Sequence, residues 1–200
     1  ICHRHGVIVV SDEIHCELTM PGYSYIPYGT VDSEAIVCLS PSKAFNTAGL
    51  QIANIICGDA GRRAAIDRAI NINEVCDVNP FGVEGLIAAY SADGLAWLEE
   101  LRNYLYENYI YARDFLAEHL RFAYSMARLE ATYLLWLDTG SLGMGAEELE
   151  ERLLSETGVW VNSGVMYGAD GYIRINIACP RTVLADALAR LCDGLNGIID

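Results

Sequence analysis

Val7-Ile8-Val9-Val10-Ser11-Asp12-Glu13 is a continuous apolar, β-branched run that stops abruptly on polar residues. Two later stretches repeat the pattern: Ala35-Ile36-Val37-Cys38-Leu39, ending at Ser40, and Ala53-Asn54-Ile55-Ile56-Cys57, ending at Gly58. Short apolar runs without alternation suit strands buried on both faces, which predicts a largely parallel sheet covered by helices. Open sheets of that kind bind ligands beyond the carboxyl ends of their strands. The polar residues after Val10 and after Leu39 therefore stand where a ligand is expected.

Residues 60–73 and 80–93 read as helices, the second just past the breaker Asn79-Pro80. Trp97, Leu98, Leu101, Leu105, Tyr109, Ala112, Leu116 and Leu120 recur near whole helical turns. They predict a helix over about 95–121, long enough to connect two domains. Beyond it the pattern gives a strand from Thr132 to Asp138, an acidic amphipathic helix from Ala146 to Thr157, and a short strand from Val159 to Val161. A further strand runs from Tyr172 to Ala178, with Ile173, Ile175 and Ile177 on one face and Tyr172, Arg174 and Asn176 on the other. Pro180 opens a last helix from Arg181 to about Leu195. The predicted architecture is α/β: part of a large domain over 1–94, a connecting helix over 95–121, and a small α+β domain over 122–200.

Apolar residues make up 52% of the 200 and charged residues 20%, as in a chain that buries a real core. Thirteen basic against 27 acidic residues give a formal charge of −14, which disfavours nucleic acid and anionic membrane as partners. No apolar run approaches a membrane span. The seven cysteines are odd in number and scattered, which suits free thiols in a reducing, cytoplasmic compartment. Cys2, His3, His5, His15 and Cys16 cluster in sequence but lack metal-site spacing, so no metal is expected. The chain begins at Ile1 without methionine and reads as the C-terminal part of something longer.

Lys43 is the only lysine; the other twelve basic residues are arginine. Arginine keeps its proton under all ordinary conditions, whereas lysine can become a neutral amine and condense with a carbonyl. Lys43 sits in Ser40-Pro41-Ser42-Lys43, directly after the second predicted strand. Serine hydroxyls and turn N–H groups can cradle a phosphate, although the same residues also make an ordinary turn. Asp12 ends the first strand, where a helix cap or a solvated charge is the commoner fate. Arg174 lies on the open face of the alternating strand, as a surface charge or as a bidentate partner for a carboxylate.

Taken together, Val9-Val10-Ser11-Asp12-Glu13-Ile14-His15, Ser40-Pro41-Ser42-Lys43-Ala44-Phe45-Asn46-Thr47-Ala48-Gly49-Leu50 and Tyr172-Ile173-Arg174-Ile175-Asn176-Ile177-Ala178-Cys179-Pro180-Arg181 resemble the pyridoxal-phosphate (PLP) enzymes of the class I/II aminotransferase fold. The nearest branch is the MalY/PatB-type cystathionine β-lyases, and the likeness covers the C-terminal half of such an enzyme. The resemblance implies that Lys43 forms the Schiff base with PLP and serves as the base at the substrate Cα. It implies that Asp12 pairs with the pyridinium nitrogen and that Ser40 and Ser42 bind the phosphate. Arg174 would clamp the substrate α-carboxylate. His15 stands where transaminases commonly carry a tyrosine that contacts the phenolic oxygen. Those transaminases also place a phosphate-binding arginine eight residues after the lysine, where this chain has Gln51. That departure, with Asp-Glu-Ile-His and Cys-Pro-Arg, favours the lyase branch. Asn79-Pro80-Phe81-Gly82 also looks like that branch, in a region facing the dimer interface of the family.

The resemblance therefore implies a carbon–sulfur β-lyase acting on cystathionine or cysteine-like amino acids, as a homodimer in the full-length parent. An aminotransferase is the alternative, sharing every step through Cα deprotonation. A reading of another class is a fragment without activity, or a regulatory binding protein, because the family's upstream half supplies the glycine-rich phosphate loop and the ring that stacks on PLP.

Overall fold

The computed structural model describes all residues from Ile1 to Asp200. They form two compact units, Ile1–Leu101 and Arg102–Asp200.

In the first unit β1 (Val10–Asp12) pairs in parallel with β2 (Ile36–Leu39), setting Val10 opposite Ile36 and Asp12 opposite Cys38. β2 pairs antiparallel with β3 (Asn54–Cys57), so the sheet is mixed, not largely parallel. A parallel return needs a crossover, usually a helix. The segment between β2 and β3 holds only the short 3₁₀ turn Ala48–Leu50 and comes back antiparallel. Val7 and Ile8 also stay outside the ladder, which Val9 opens by accepting from Ile36 N at 3.0 Å.

The apolar runs are not buried on both faces. Val10 is 60% exposed and Ile56 53%, whereas Val37 in the middle strand is buried. Two helices belong to this unit, α1 (Ala60–Ile72) and α2 (Pro80–Ala89), and each has an identifiable start. The Asp59 carboxylate accepts from Arg62 N at 2.7 Å, and Asn79 accepts from Phe81 N at 3.0 Å with Pro80 in the first turn.

The long helix α3 (Ala92–His119) begins three residues earlier than its periodicity predicts, and the division between the two units falls within it, at Leu101/Arg102. Ser91 Oγ accepts from Gly94 N at 3.1 Å and caps that first turn. Its end is fixed by buried Asn196, whose Nδ2 donates to His119 O and whose Oδ1 accepts from Arg121 N, both at 2.9 Å. Leu105, Tyr109, Ala112 and Leu116 form its buried stripe in the second unit.

That unit is a four-stranded antiparallel sheet in the order β4 (Ser125–Met126), β5 (Leu134–Asp138), β7 (Tyr172–Asn176), β6 (Asn162–Ser163). Helices α4 (Ala146–Thr157) and α5 (Arg181–Asn196) complete it. Alternation works here as expected: Leu135, Leu137, Ile173 and Ile177 are fully buried. Leu149 and Leu153 of α4, with Leu184, Leu188 and Leu195 of α5, fill out the same core at helical spacing.

The strand expected at Val159–Val161 is found instead at Asn162–Ser163. Val159 and Val161 are buried as loop residues, held by Glu150, which accepts from Trp160 Nε1 at 2.8 Å and Ser163 N at 2.6 Å. No helix is long and apolar enough to cross a membrane.

Candidate functional site

The parallel β1–β2 pair brings two polar chain segments to one end of the sheet. Asp12 closes β1 and is exposed; its Oδ1 accepts from Ile14 N at 3.1 Å, shaping the turn that leads to half-buried His15. Glu13 N donates to Cys38 O at 2.9 Å, so this turn stays tied to β2 just before Ser40. Glu13 itself is buried, accepting from Ser11 Oγ at 3.0 Å and Tyr28 N at 2.8 Å. The carboxylate left outward at this strand end is that of Asp12.

The turn after β2 is closed from within. Ser40 Oγ donates to Ile52 O at 2.7 Å and accepts from Ser42 N at 3.2 Å. Ser42 Oγ lies 2.5 Å from Ser40 Oγ; since the Ser40 proton goes to Ile52, Ser42 is the donor of that pair. An anion is therefore bound by these hydroxyls only after at least one of them turns. Ser40, Pro41 and Ala44 are buried, which leaves Lys43 on the solvent side.

Two residues on, Phe45 stacks on Trp97 with centroids 5.8 Å apart and meets Tyr90 edge-on at 5.8 Å. Tyr90 Oη in turn donates to Glu17 Oε1 at 2.6 Å, so the segments carrying Asp12 and Lys43 are braced through one aromatic cluster. Thr47 Oγ1, in the Lys43 turn, is shielded from solvent and bonds to nothing in the chain. Gln51, eight residues after Lys43, is exposed in the left-handed region with φ 50°.

Arg174 belongs to the second unit. It stands in β7 between Trp136 of β5 and Asn162 of β6, half-buried, with Nη2 donating to Asn162 Oδ1 at 2.9 Å. Its guanidinium lies over the Tyr167 ring, 4.6 Å from the centroid. Arg181 makes a similar pair of contacts, to Asn108 Oδ1 at 2.8 Å and over Tyr111 at 4.6 Å. Its surroundings differ, because Glu107, Asp114 and Glu118 line the same groove. Arg174 is therefore the better placed of the two to receive an anion.

The sequence profile of the family described as "Aminotransferase class I and II" matches residues 1–191. The chain belongs to that family. Among the relatives of this aminotransferase-family chain, cystathionine beta-lyase PatB of Bacillus subtilis (strain 168) is 36% identical over 96% of the chain and 50% of its own length. Protein MalY of Escherichia coli (strain K12) is 30% identical over 99% of the chain and 51% of its own length. The crystal structure of the PLP-bound C-S lyase from Staphylococcus hominis superposes with a TM-score of 0.85 at 32% identity, covering 97% of this chain and 51% of that one. The chain spans about half the length of the relatives it matches. Its fold is that of PLP-dependent fold type I enzymes.

All seven cysteines are free, and no three candidate ligands converge on a metal position. Cys16 lies beside the braced acidic residues. Burial, then the hydrogen bond and charge of Glu17 and the charge of Glu13, push its thiol up to about 12. Burial pushes Cys192 up to about 11. Thiolates are the reactive form, so at pH 8 a maleimide or iodoacetamide labels exposed Cys76 first. Cys16 and Cys192 become modified only on unfolding. Peptide mapping of partly labelled protein checks this order, and early modification of Cys16 contradicts its assignment as an inert thiol.

Proposed function

We propose that this chain carries the lysine-bearing part of a PLP-dependent carbon–sulfur β-lyase acting on cystathionine or cysteine-like amino acids. One observation carries the reading. The only lysine of the chain is exposed on a braced turn, next to the strand end that presents Asp12, in a chain similar to cystathionine β-lyases.

The residues fit the cofactor by their chemistry. An outward carboxylate at Asp12 suits a pyridinium nitrogen, and the amine of Lys43 suits an aldehyde. Ser40 and Ser42 offer the phosphate end two hydroxyls that must rotate from their mutual bond. The unmet hydroxyl of Thr47 adds a further polar group in the same turn. His15, on the Asp12 turn, is assigned to the phenolic oxygen side. When bound, PLP supplies the sink for the electron pair left at the substrate Cα.

The chain's own residues do the rest. Arg174 binds the substrate α-carboxylate and so orients the Cα–H bond. The neutral amine of Lys43 takes the Cα proton, and its conjugate acid can return a proton as the thiolate leaves from Cβ. The organic products are a thiol and, after hydrolysis, pyruvate with ammonia. The substrate is a small amino acid. A homodimer of full-length chains in the cytoplasm agrees with the family and with seven free thiols.

The test is pyruvate release from L-cystathionine by PLP-loaded protein of the relatives' full length that carries this chain. The β-lyase reading expects release without any added keto acid. Strict dependence on a keto acid, with no net pyruvate formation, replaces it with the aminotransferase reading that the family description also supports.

A further inference from the structure

We infer that Asn162 and Tyr167 are positioning residues that hold Arg174 as an uncompensated cation for the substrate carboxylate. This rests on the role given to Arg174 above and adds how the chain prepares it.

The charge pattern is the starting point. Arg62, Arg113, Arg121, Arg152 and Arg190 each pair with a carboxylate, namely Glu34, Asp114, Asp200, Glu156 and Asp186. In a chain with 27 acidic and 13 basic residues, such pairing is what chance encounters favour. Arg174 forms no ion pair. The acceptor opposite it is an uncharged amide, Asn162 Oδ1 at 2.9 Å, and its face is covered by an uncharged ring, Tyr167 at 4.6 Å. Both contacts orient a guanidinium without neutralising it.

The contacts are themselves built in. Asn162 is the cross-strand partner of Arg174 in the β6–β7 pair, so its amide is delivered by backbone register. Tyr167 meets Trp136 edge-on at 5.7 Å, and Trp136 stacks on Tyr172 at 5.4 Å with an interplanar angle of 9°. The turn from β6 to Tyr167 is fixed by Ser163 Oγ, which accepts from Val165 N at 3.1 Å.

A guanidinium has five N–H donors, and here one bond within the chain uses one of them. Nε is shielded from solvent and bonds to nothing, so it cannot be hydrated in place. The donors left for an incoming carboxylate are those of Nη1 and the second hydrogen of Nη2, the end-on fork. An aspartate at 162 would still accept from Nη2, yet it would place a negative charge where the ligand's charge is needed.

The test uses the 200-residue chain and acetate as the carboxylate probe, followed by ¹H–¹⁵N NMR at the Arg174 Nε–H and Trp136 Nε1–H resonances. Both signals are expected to move saturably in the wild type, with the response lost in Arg174→Gln. Asn162→Asp is expected to weaken acetate by about 10-fold or more while melting close to the wild type, because the pair is kept but the charge is spent. Tyr167→Leu weakens acetate severalfold, and Tyr167→Phe restores it. A role confined to stability predicts the opposite for Asn162→Asp, with binding intact in any variant that folds.

If acetate moves neither resonance in the wild type, or still binds in Arg174→Gln, the carboxylate role of Arg174 itself is wrong. If Arg174→Gln abolishes binding but Asn162→Asp binds as the wild type does, only the positioning inference is overturned. Should Asn162→Asp fail to fold, the Tyr167→Leu and Tyr167→Phe pair decides, since wild-type binding by both overturns the inference equally.

Discussion

Protein carrying Lys43→Ala, reconstituted with PLP, is expected to lack the visible absorbance band that the cofactor gains on joining a protein lysine. Its turnover is expected to fall by at least about 10³-fold, because the same amine serves as the base at Cα. The experiment is unusually clean in this chain. Within these 200 residues no second lysine exists to take over, and the twelve arginines cannot supply a neutral amine. Lys43→Arg is accordingly expected to be as inactive as Lys43→Ala despite keeping the charge. Neither change threatens the turn, since Lys43 is exposed while Ser40, Pro41 and Ala44 hold the turn from beneath. Near-wild-type melting with loss of the band separates a chemical defect from a folding one. A band and turnover that survive in Lys43→Ala would remove Lys43 from the site altogether.

How much of this was legible beforehand depends on the range of the interaction. Strand ends and helix faces are local, and Asp12, Ser40 and Arg174 could be placed on them because one stretch of sequence carries the signal. The buried stripe of α3 was legible for the same reason. Its start was not, because the Ser91 cap lies outside the apolar repeat that marks the helix. β6 was misplaced because Val159 and Val161 are apolar enough for a strand but are buried as loop residues under the hold of Glu150. The mixed direction of the first sheet was hidden too, since identical apolar runs serve parallel and antiparallel neighbours. What no single stretch can reveal is a bond between distant residues. Tyr90 to Glu17 spans 73 positions and Arg174 to Asn162 spans 12, yet these bonds brace the Lys43 turn and aim the arginine. The one readable hint was a neutral asparagine, two positions after Trp160, in a strongly acidic chain.

Residues 102–200 expressed alone are expected to unfold in urea as one cooperative transition, whereas residues 1–101 alone are expected to lack one and to bind a hydrophobic dye. The reason is where each unit keeps its apolar residues. In Arg102–Asp200 the large apolar side chains of both middle strands and three helices close on one another, with Leu116, Leu135, Leu137, Leu149, Ile173 and Leu195 at 0% exposure. In Ile1–Leu101 only Leu18 and Met20 reach that level. Val10, Ile55 and Ile56 lie in the sheet itself and face solvent, as do Phe81 and Ile87 on α2. At about 25 cal/mol per Å² of buried apolar surface, a unit that leaves so many such side chains outside gains too little to offset the entropy of ordering them. Burying those same side chains against further polypeptide of the relatives' length would supply what is lacking. The consequence reaches the chemistry, because Asp12, His15, Ser40, Ser42 and Lys43 all belong to the less stable unit. Arg174 belongs to the more stable one. Acetate binding at Arg174 should therefore persist in residues 102–200, while PLP capture by Lys43 should be lost in residues 1–101. A cooperative transition in the 1–101 polypeptide, or its absence in 102–200, reverses the assignment.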